Sequence, residues 1–295
     1  MSFADLKKKS SNNLQFLQKE LEKTVSTRQV DERFWKPEVD ASGNGYAVIR
    51  FLPAPDGETV PWAKVYSHAF QGPGGWYIEN SRTTLGEKDP VGEVNRQHWN
   101  DGTEEGKDIA RRQKRKLSYY SNIQVIKDPK HPENEGKVFL YKYGKKIFDK
   151  LTAAMQPEFE DEEAIDPFDF WQGANFKLKA KNVAGYRNYD SSEFASTSAL
   201  LDDDDALEAV WKKQFSLAEL VAADQFKSYD ELKTRLNSVL GNRTQVRQDP
   251  EVVDEDNDRG SAEQLVTAAA SRTSAKVTAT DEEDDTLSYF AKLAE

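Results

Sequence analysis

Apolar and polar positions alternate with a period of two in several short stretches between residues 44 and 181, which predicts a mainly β core. Asn44-Gly45 is a turn signal ahead of Tyr46-Ala47-Val48-Ile49-Arg50-Phe51-Leu52, a strand that Pro53 ends. Trp62 to Phe70 and Trp76-Tyr77-Ile78 read as two more strands around the turn Gly72-Pro73-Gly74-Gly75. Residues 81–110 are polar and without period, and they predict an irregular insertion. Lys114 to Lys127 is a long alternating strand closed by Asp128-Pro129, with Val138 to Tyr143 as its partner. An acidic loop at 157–169 leads to a further strand, Asn175 to Lys181.

Three stretches carry helical signals instead. Gly144 punctuates before a helix from Lys145 to Met155. Asp202 to Asp205 stand where a helix begins, ahead of Leu207, Val210, Trp211 and Phe215. Acids at that end complement the helix dipole, which explains the run better than metal binding does. Ser228 with Glu231 three residues on is a capping-box pattern, followed by Leu232, Leu236, Val239 and Leu240 and stopped by Gly241. The class this predicts is α+β with a mainly β core: an OB-fold-like Greek-key barrel with an inserted irregular subdomain at about 63–112 and flanking helices. Residues 1–23 combine Lys7-Lys8-Lys9-Ser10-Ser11 with Leu6, Leu14, Leu17 and Leu21. They read either as an arm that docks on something or as a solvated terminus. Periodicity is lost beyond residue 243, so the expected division is an arm at 1–23, a core at 24–245 and an acidic, largely disordered tail at 246–295.

Composition narrows the class. The 295 residues are 37% hydrophobic and 32% charged, the balance of one compact region with long polar segments. Cysteine is absent, which removes disulfides and thiolate zinc sites and fits a reducing compartment. Neither a signal-peptide core nor an apolar run of membrane-spanning length occurs, so no membrane partner is expected. The net charge of −11 is unevenly spread. Residues 251–295 hold 12 Asp/Glu against 4 Lys/Arg, whereas Lys107 to Lys146 hold 12 Lys/Arg against 4 Asp/Glu. A basic middle with an acidic end suits a polyanion-binding protein.

The basic middle has the chemistry that a single strand of nucleic acid requires. In Arg111-Arg112-Gln113-Lys114-Arg115-Lys116-Leu117-Ser118-Tyr119-Tyr120, cations adjoin aromatics. Strand alternation places Leu117, Tyr119, Ile123 and Val125 on one face and Lys116, Ser118, Tyr120, Asn122 and Gln124 on the other. Cations can track phosphates while rings stack on bases, for about 1–3 kcal/mol per base. The mixture recurs in Phe139, Tyr141, Lys142 and Tyr143, in Lys145-Lys146, in Lys177, Lys179 and Lys181 (opposite Phe176, Leu178 and Ala180), and in the Gly-flanked loop Tyr186-Arg187-Asn188-Tyr189. Lysines on a strand also serve simply to block edge pairing, and Tyr119 suits a core position as well as a stacking one. The end of the tail, Asp281-Glu282-Glu283-Asp284-Asp285-Thr286-Leu287-Ser288-Tyr289-Phe290-Ala291-Lys292-Leu293, joins an acidic cluster to apolar residues. It reads as a linear motif for a partner's basic-rimmed apolar pocket, or as a solvated end. No Walker A loop, GxSxG or HExxH occurs, and the protein is not expected to be an enzyme. The enzymatic alternative is a carboxylate-metal nuclease using Asp161, Glu162 and Glu163 or Asp202 to Asp205, whose contiguous runs are unlike the dispersed, inward-facing acids such a site needs. The binding alternatives are a single-stranded RNA-binding translational regulator and a purely structural scaffold.

At these residues the chain resembles the helix-destabilising single-stranded DNA-binding proteins of T-even-type tailed phages. The matching strings include Gly43 to Pro53, Gly75-Trp76-Tyr77-Ile78-Glu79, Val125-Ile126-Lys127-Asp128-Pro129, Pro132 to Phe139, Gly144-Lys145-Lys146-Ile147 and Trp171-Gln172-Gly173-Ala174-Asn175-Phe176, in order along nearly the whole chain. Two family hallmarks are Lys7-Lys8-Lys9-Ser10-Ser11 and Lys114-Arg115-Lys116-Leu117-Ser118, the second departing with Leu117 where a hydroxyl residue is expected. The resemblance implies an OB-fold core that binds single strands in a basic, aromatic-lined cleft. It implies head-to-tail self-assembly on DNA through Lys7, Lys8, Lys9, Ser10 and Ser11. Recruitment of replication, recombination and repair proteins falls to the tail around Asp281, Asp284, Asp285, Leu287, Tyr289, Phe290 and Leu293, in the cytoplasm of an infected bacterium. Family aromatics carry over onto Tyr119, Tyr120, Tyr141, Tyr186 and Tyr189, with Tyr143 and Trp99 beside them. The basic contacts carry over onto Arg111, Lys114, Arg115, Lys116, Lys142, Lys145 and Lys146, and Arg112 of the same basic run joins them as a candidate. A zinc-binding member of this family uses one histidine and three cysteines, two of them in a Cys-Pro-Val-Cys turn. Here the turn reads Asp89-Pro90-Val91-Gly92, Ser81 replaces the other cysteine, and only His68 remains. No cofactor is therefore expected, a residual His68/His98/Asp89 set is short of four ligands, and packing around Trp76, Val91, Val94 and Trp99 is expected to hold the subdomain.

Overall fold

The computed structural model describes residues 31–159 and 163–241, so the arm, the whole tail and part of the acidic loop lie outside the described residues. Of these, 31–62 and 119–217 form one compact unit, and 63–118 and 218–241 form a second.

The first unit is built on a sheet whose strands are β1 (Phe34–Trp35), β2 (Gly45–Phe51), β5 (Lys116–Lys127, in this unit from residue 119), β6 (Val138–Tyr143), β7 (Ala174–Val183), β8 (Tyr186–Asn188) and β9 (Glu193–Thr197). Their order is β1-β6-β5-β2-β7-β8, with β9 also on β7. All pairings are antiparallel except β1 with β6. The predicted strands are present, with β5 starting two residues later than its alternation suggested. In β7 the expected alternation holds, Phe176, Leu178 and Ala180 being buried while Lys177 and Lys179 are only partly covered. Central β2 shows no such alternation over Ile49-Arg50-Phe51, all three buried, because it is covered on both sides.

Helix α3 (Lys145–Met155) has the predicted limits and buries Ile147 and Leu151. Phe51 lies 5.7–5.8 Å from the rings of Tyr143, Phe168 and Phe176, so aromatic edges fill the centre. Helix α4 (Asp204–Trp211) starts where the acids predicted. Asp203 caps it by accepting from the Ala206 N–H at 3.2 Å, and Leu207 and Val210 pack with Leu52 and Phe170. Arg50 is fully buried, donating from Nη2 to the carbonyls of Asp169 (2.8 Å) and Ser198 (2.9 Å). Gly173 is required beside it, since a Cβ there would collide with the Asp169 carbonyl and sit 2.8 Å from that nitrogen.

The second unit corrects the sequence reading. Its hairpin, β3 (Ala63–Gly72) with β4 (Gly75–Asn80), turns at Pro73-Gly74 as expected. Residues 81–110, however, are not irregular: they form most of two helices, α1 (Pro90–Asn100) and α2 (Glu104–Gln113). The hydrophobic pattern is silent there because each helix buries only three residues, several of them small or polar. Their caps were legible. Asp89 precedes a Pro at the first helical position, and Thr103 accepts from the Gly106 N–H with Glu104 and Glu105 in the first turn. Helix α5 (Tyr229–Val239) has the predicted capping box. It packs Leu232, Leu236 and Val239 against Phe70, Tyr77 and Val91, with Val94 beside them. Trp76 is not part of that core; it is 55% exposed. Gly74 donates to the Val239 carbonyl at 2.8 Å, and any Cβ there would collide with the Ser238 carbonyl.

Candidate nucleic-acid interface

In the second unit the basic run spans the end of a helix and the start of a strand, not one strand. Arg111 and Arg112 occupy the last turn of α2, where cations complement the dipole. Lys114 is the C-cap, and Lys116 opens β5. Arg111 pairs with Asp108 at 2.6 Å and stands 5.9 Å from the half-buried ring of Trp99. The Arg115 guanidinium lies 4.1 Å over the ring of Tyr66, a cation–π contact. Tyr66 was absent from the sequence reading, because no linear signal connects residues 66 and 115. Arg111, Arg112 and Lys116 are exposed, so this unit presents cations at the surface, with Trp99 near Arg111 and Tyr66 under Arg115.

In the first unit the predicted residues divide. Tyr120 is half-buried, opposite Lys142 in the β5–β6 register, with the ammonium 5.5 Å from its ring and Phe34 edge-on at 5.8 Å. Lys145 and Lys146 occupy the first turn of α3, which has no acid and no side-chain cap. Two cations at the positive end of a helix oppose its dipole, and uncapped N–H groups there favour an anion. Lys145 pairs with Asp149 at 3.0 Å and Lys146 with Asp190 at 3.4 Å, both pairs exposed. Tyr186 is 71% exposed, on a short strand and not in the expected loop, while Tyr189 is half-buried. The turn between β7 and β8 sets Ala184 and Gly185 at φ 52° and 86°.

Tyr119, Tyr141 and Tyr143 are placed differently from the expectation that they face a bound strand: all three rings are buried. Tyr119 stacks on Phe148 with centroids 3.9 Å apart, and Tyr143 donates to or accepts from the Ser121 hydroxyl at 2.8 Å. Burial pushes the Tyr141 and Tyr143 hydroxyls well above their ordinary range, so both stay neutral core groups. Asn122 and Gln124 are also buried, Asn122 bonding the Phe215 backbone at 2.8 and 2.9 Å and Gln124 the Gly136 carbonyl at 3.0 Å. Period-two alternation cannot distinguish a face open to solvent from one covered by another element.

The positions at which the resemblance implies zinc ligands, His68, Ser81, Asp89 and Gly92, lie together in the second unit but do not fit a metal. His68 Nδ1 donates to the Gln113 carbonyl at 2.9 Å, and its Nε2 lies 3.3 Å from Asp89 Oδ1. Asp89 Oδ2 accepts from the Ser81 hydroxyl at 2.9 Å and from the Arg82 N–H at 3.1 Å. Burial pushes the Asp89 carboxyl up, but hydrogen bonds from His68, Ser81 and Arg82 outweigh it and hold the group below its ordinary value. Among the described residues no three His, Cys, Asp or Glu side chains group to hold a metal ion, so His98 does not join His68 and Asp89. One imidazole and one carboxylate are too few for zinc. Of the acids considered for magnesium, Asp203 caps α4 and Asp204 accepts from the Trp171 indole at 3.3 Å, while Asp161 and Glu162 lie outside the described residues.

Comparison with known proteins places the chain in a family. A family model described as "gp32 DNA binding protein like" matches residues 43–240. A protein of Enterobacteria phage T2 named "Single-stranded DNA-binding protein" is 43% identical over 219 residues, covering 72% of this chain and 71% of that protein. Its namesake in Enterobacteria phage T4 is 40% identical over 242 residues, 80% of this chain and 79% of the relative. Basic and aromatic residues in both units lie within the matched span, and the chain belongs to the gp32-like family of DNA-binding proteins.

Proposed function

We propose that the protein binds single-stranded DNA without sequence preference and coats it during phage DNA replication, recombination and repair, in the cytoplasm of the infected bacterium. The observation that carries this reading is membership of a family whose T2 and T4 members are named for single-stranded DNA binding, at 40–43% identity. The cations Arg111, Arg112, Lys114, Arg115, Lys116, Lys142, Lys145 and Lys146 contact phosphates, and the exposed or half-buried rings of Tyr120, Tyr186, Tyr189 and Trp99 supply stacking. The sheet of the first unit serves as an OB-like binding barrel. The protein works by binding and not by catalysis: it opens duplexes only because it prefers the open strand. The arm at Lys7 to Ser11 joins neighbouring copies head to tail, and the acidic tail at 281–293 recruits partner proteins while competing with DNA for the basic residues.

Oligo-dT titrated against the full chain should quench its tryptophan and tyrosine fluorescence, with log K falling by about 0.7 per phosphate contact for each tenfold rise in salt. No quenching at low salt would end the binding reading. Tighter binding of a matched RNA would favour the translational-regulator alternative. Truncation after residue 250 should raise DNA affinity at low salt, by removing a segment with 12 acids and 4 bases. Unchanged affinity would show that the tail does not compete.

A further inference from the structure

We infer that His68, Asp89 and Ser81 form a metal-free clasp that closes the second unit where a relative would use zinc. His68, Ser81 and Gly92 converge on the Asp89 carboxylate. His68 faces Asp89 Oδ1 at 3.3 Å and Ser81 donates to Oδ2 at 2.9 Å, while the N–H groups of Val91 and Gly92 point at Oδ1 at 3.0 and 3.4 Å. On its other side the imidazole holds the Gln113 carbonyl at 2.9 Å, at the end of α2. A zinc ion joins its ligands by bonding each of them; here a side-chain carboxylate occupies that central role. The clasp ties four separate pieces of chain: strand β3 through His68, the end of β4 through Ser81, the start of α1 through Asp89, and the end of α2 through Gln113.

The burial of the group distinguishes it from a surface ion pair. His68 is 1% exposed, Asp89 4% and Ser81 0%, so water does not screen these bonds, and removing one partner strands the others without solvent. Asp89 also caps α1, so a single side chain starts a helix and anchors a strand. The arrangement explains how the unit keeps its shape with no cysteine in the chain. It adds a structural consequence to the DNA-binding reading and does not depend on it: the protein folds and functions with no metal supply.

The test uses the full chain and three measurements that do not require DNA. Purified protein should contain no stoichiometric zinc by elemental mass spectrometry, and its melting temperature should be the same with EDTA and with added Zn²⁺. Asp89→Ala should lower that temperature by roughly 5 °C or more, through lost cap and lost clasp, and EDTA should not alter the drop. Should Asp89→Ala fail to fold, Ser81→Ala removes one bond only and should lower the temperature by a few degrees. The positional argument is tested by the triple change Ser81→Cys, Asp89→Cys and Gly92→Cys, the last at a site where a Cβ meets nothing within 4 Å. That variant should acquire one zinc ion per chain and a melting temperature that EDTA reduces. Stoichiometric zinc in the wild-type protein, a wild-type melting temperature sensitive to EDTA, or an unaltered one in Ser81→Ala would overturn the clasp. A triple variant that folds but takes up no zinc would overturn the equivalence of the positions.

Discussion

Neutralising Arg112, Lys114 and Lys116 together should weaken binding to oligo-dT about 100-fold in 0.1 M salt, with little change in stability. Each phosphate contact on a single strand releases about 0.7 of a counterion, which at 0.1 M is worth roughly a factor of five in affinity, and three contacts multiply to about 100. The slope of log K against log salt should become shallower by about 2. The cost in stability is small at Arg112 and Lys116, which are exposed, the bond from Arg112 Nε to the Asp108 carbonyl being a long 3.3 Å. Fluorescence titration at several salt concentrations measures both quantities. A loss below fivefold with an unchanged slope would mean that this helix end faces away from the DNA. The proposed interface would then contract to Lys142, Lys145, Lys146 and the rings of the first unit.

Arg50→Ala should destabilise the first unit by about 4 kcal/mol, read as a shift of the urea midpoint. Two effects add. The carbonyls of Asp169 and Ser198 lose charge-assisted bonds of 2.8 and 2.9 Å. Such bonds are worth about 1.5–3 kcal/mol each, and the deleted side chain also leaves a cavity. An opposing effect limits the total: Arg50 Nε and Nη1 are buried and make no hydrogen bond among the described residues, so the wild type already bears a desolvation cost. Burial pushes the guanidinium down from its ordinary value, against the pull of the Asp169 carboxylate. Arg50→Met, which fills the space without the charge, should therefore recover part of the loss. If Arg50→Ala unfolds at the wild-type midpoint, the turn around Asp169 and Gly173 is held by something other than this side chain.

Where a local rule was sufficient, the sequence reading and the structure coincide. Gly144 opens α3 and Ser228 opens α5, and Asp203 starts α4, because a cap is settled by a few consecutive residues. The Pro73-Gly74 turn is equally local. The reading erred over 81–110 because it weighed hydrophobic period and not capping: α1 and α2 are polar helices that Asp89-Pro90 and Thr103 announce. Chemistry in the candidate interface was legible as residue type, since cations and rings recur through the middle of the chain. Which rings are available was not legible. Tyr119, Tyr120, Tyr141 and Tyr143 look alike on paper, yet only Tyr120 stays partly open while the others stack into the core.

The sequence by itself determined the family, the segregation of charge, the helix starts and the alternation that makes β7 a half-buried strand. These depend on composition and on neighbours a few residues apart, so linear order carries them. Only the tertiary structure decided that β2 runs between β5 and β7, that Arg115 lies over Tyr66, and that His68, Ser81 and Asp89 meet. The physical reason is that pairing across a sheet, cation–π contact and burial all join residues distant in sequence. Their free energy depends on which surfaces the fold removes from water, and no window along the chain contains that information.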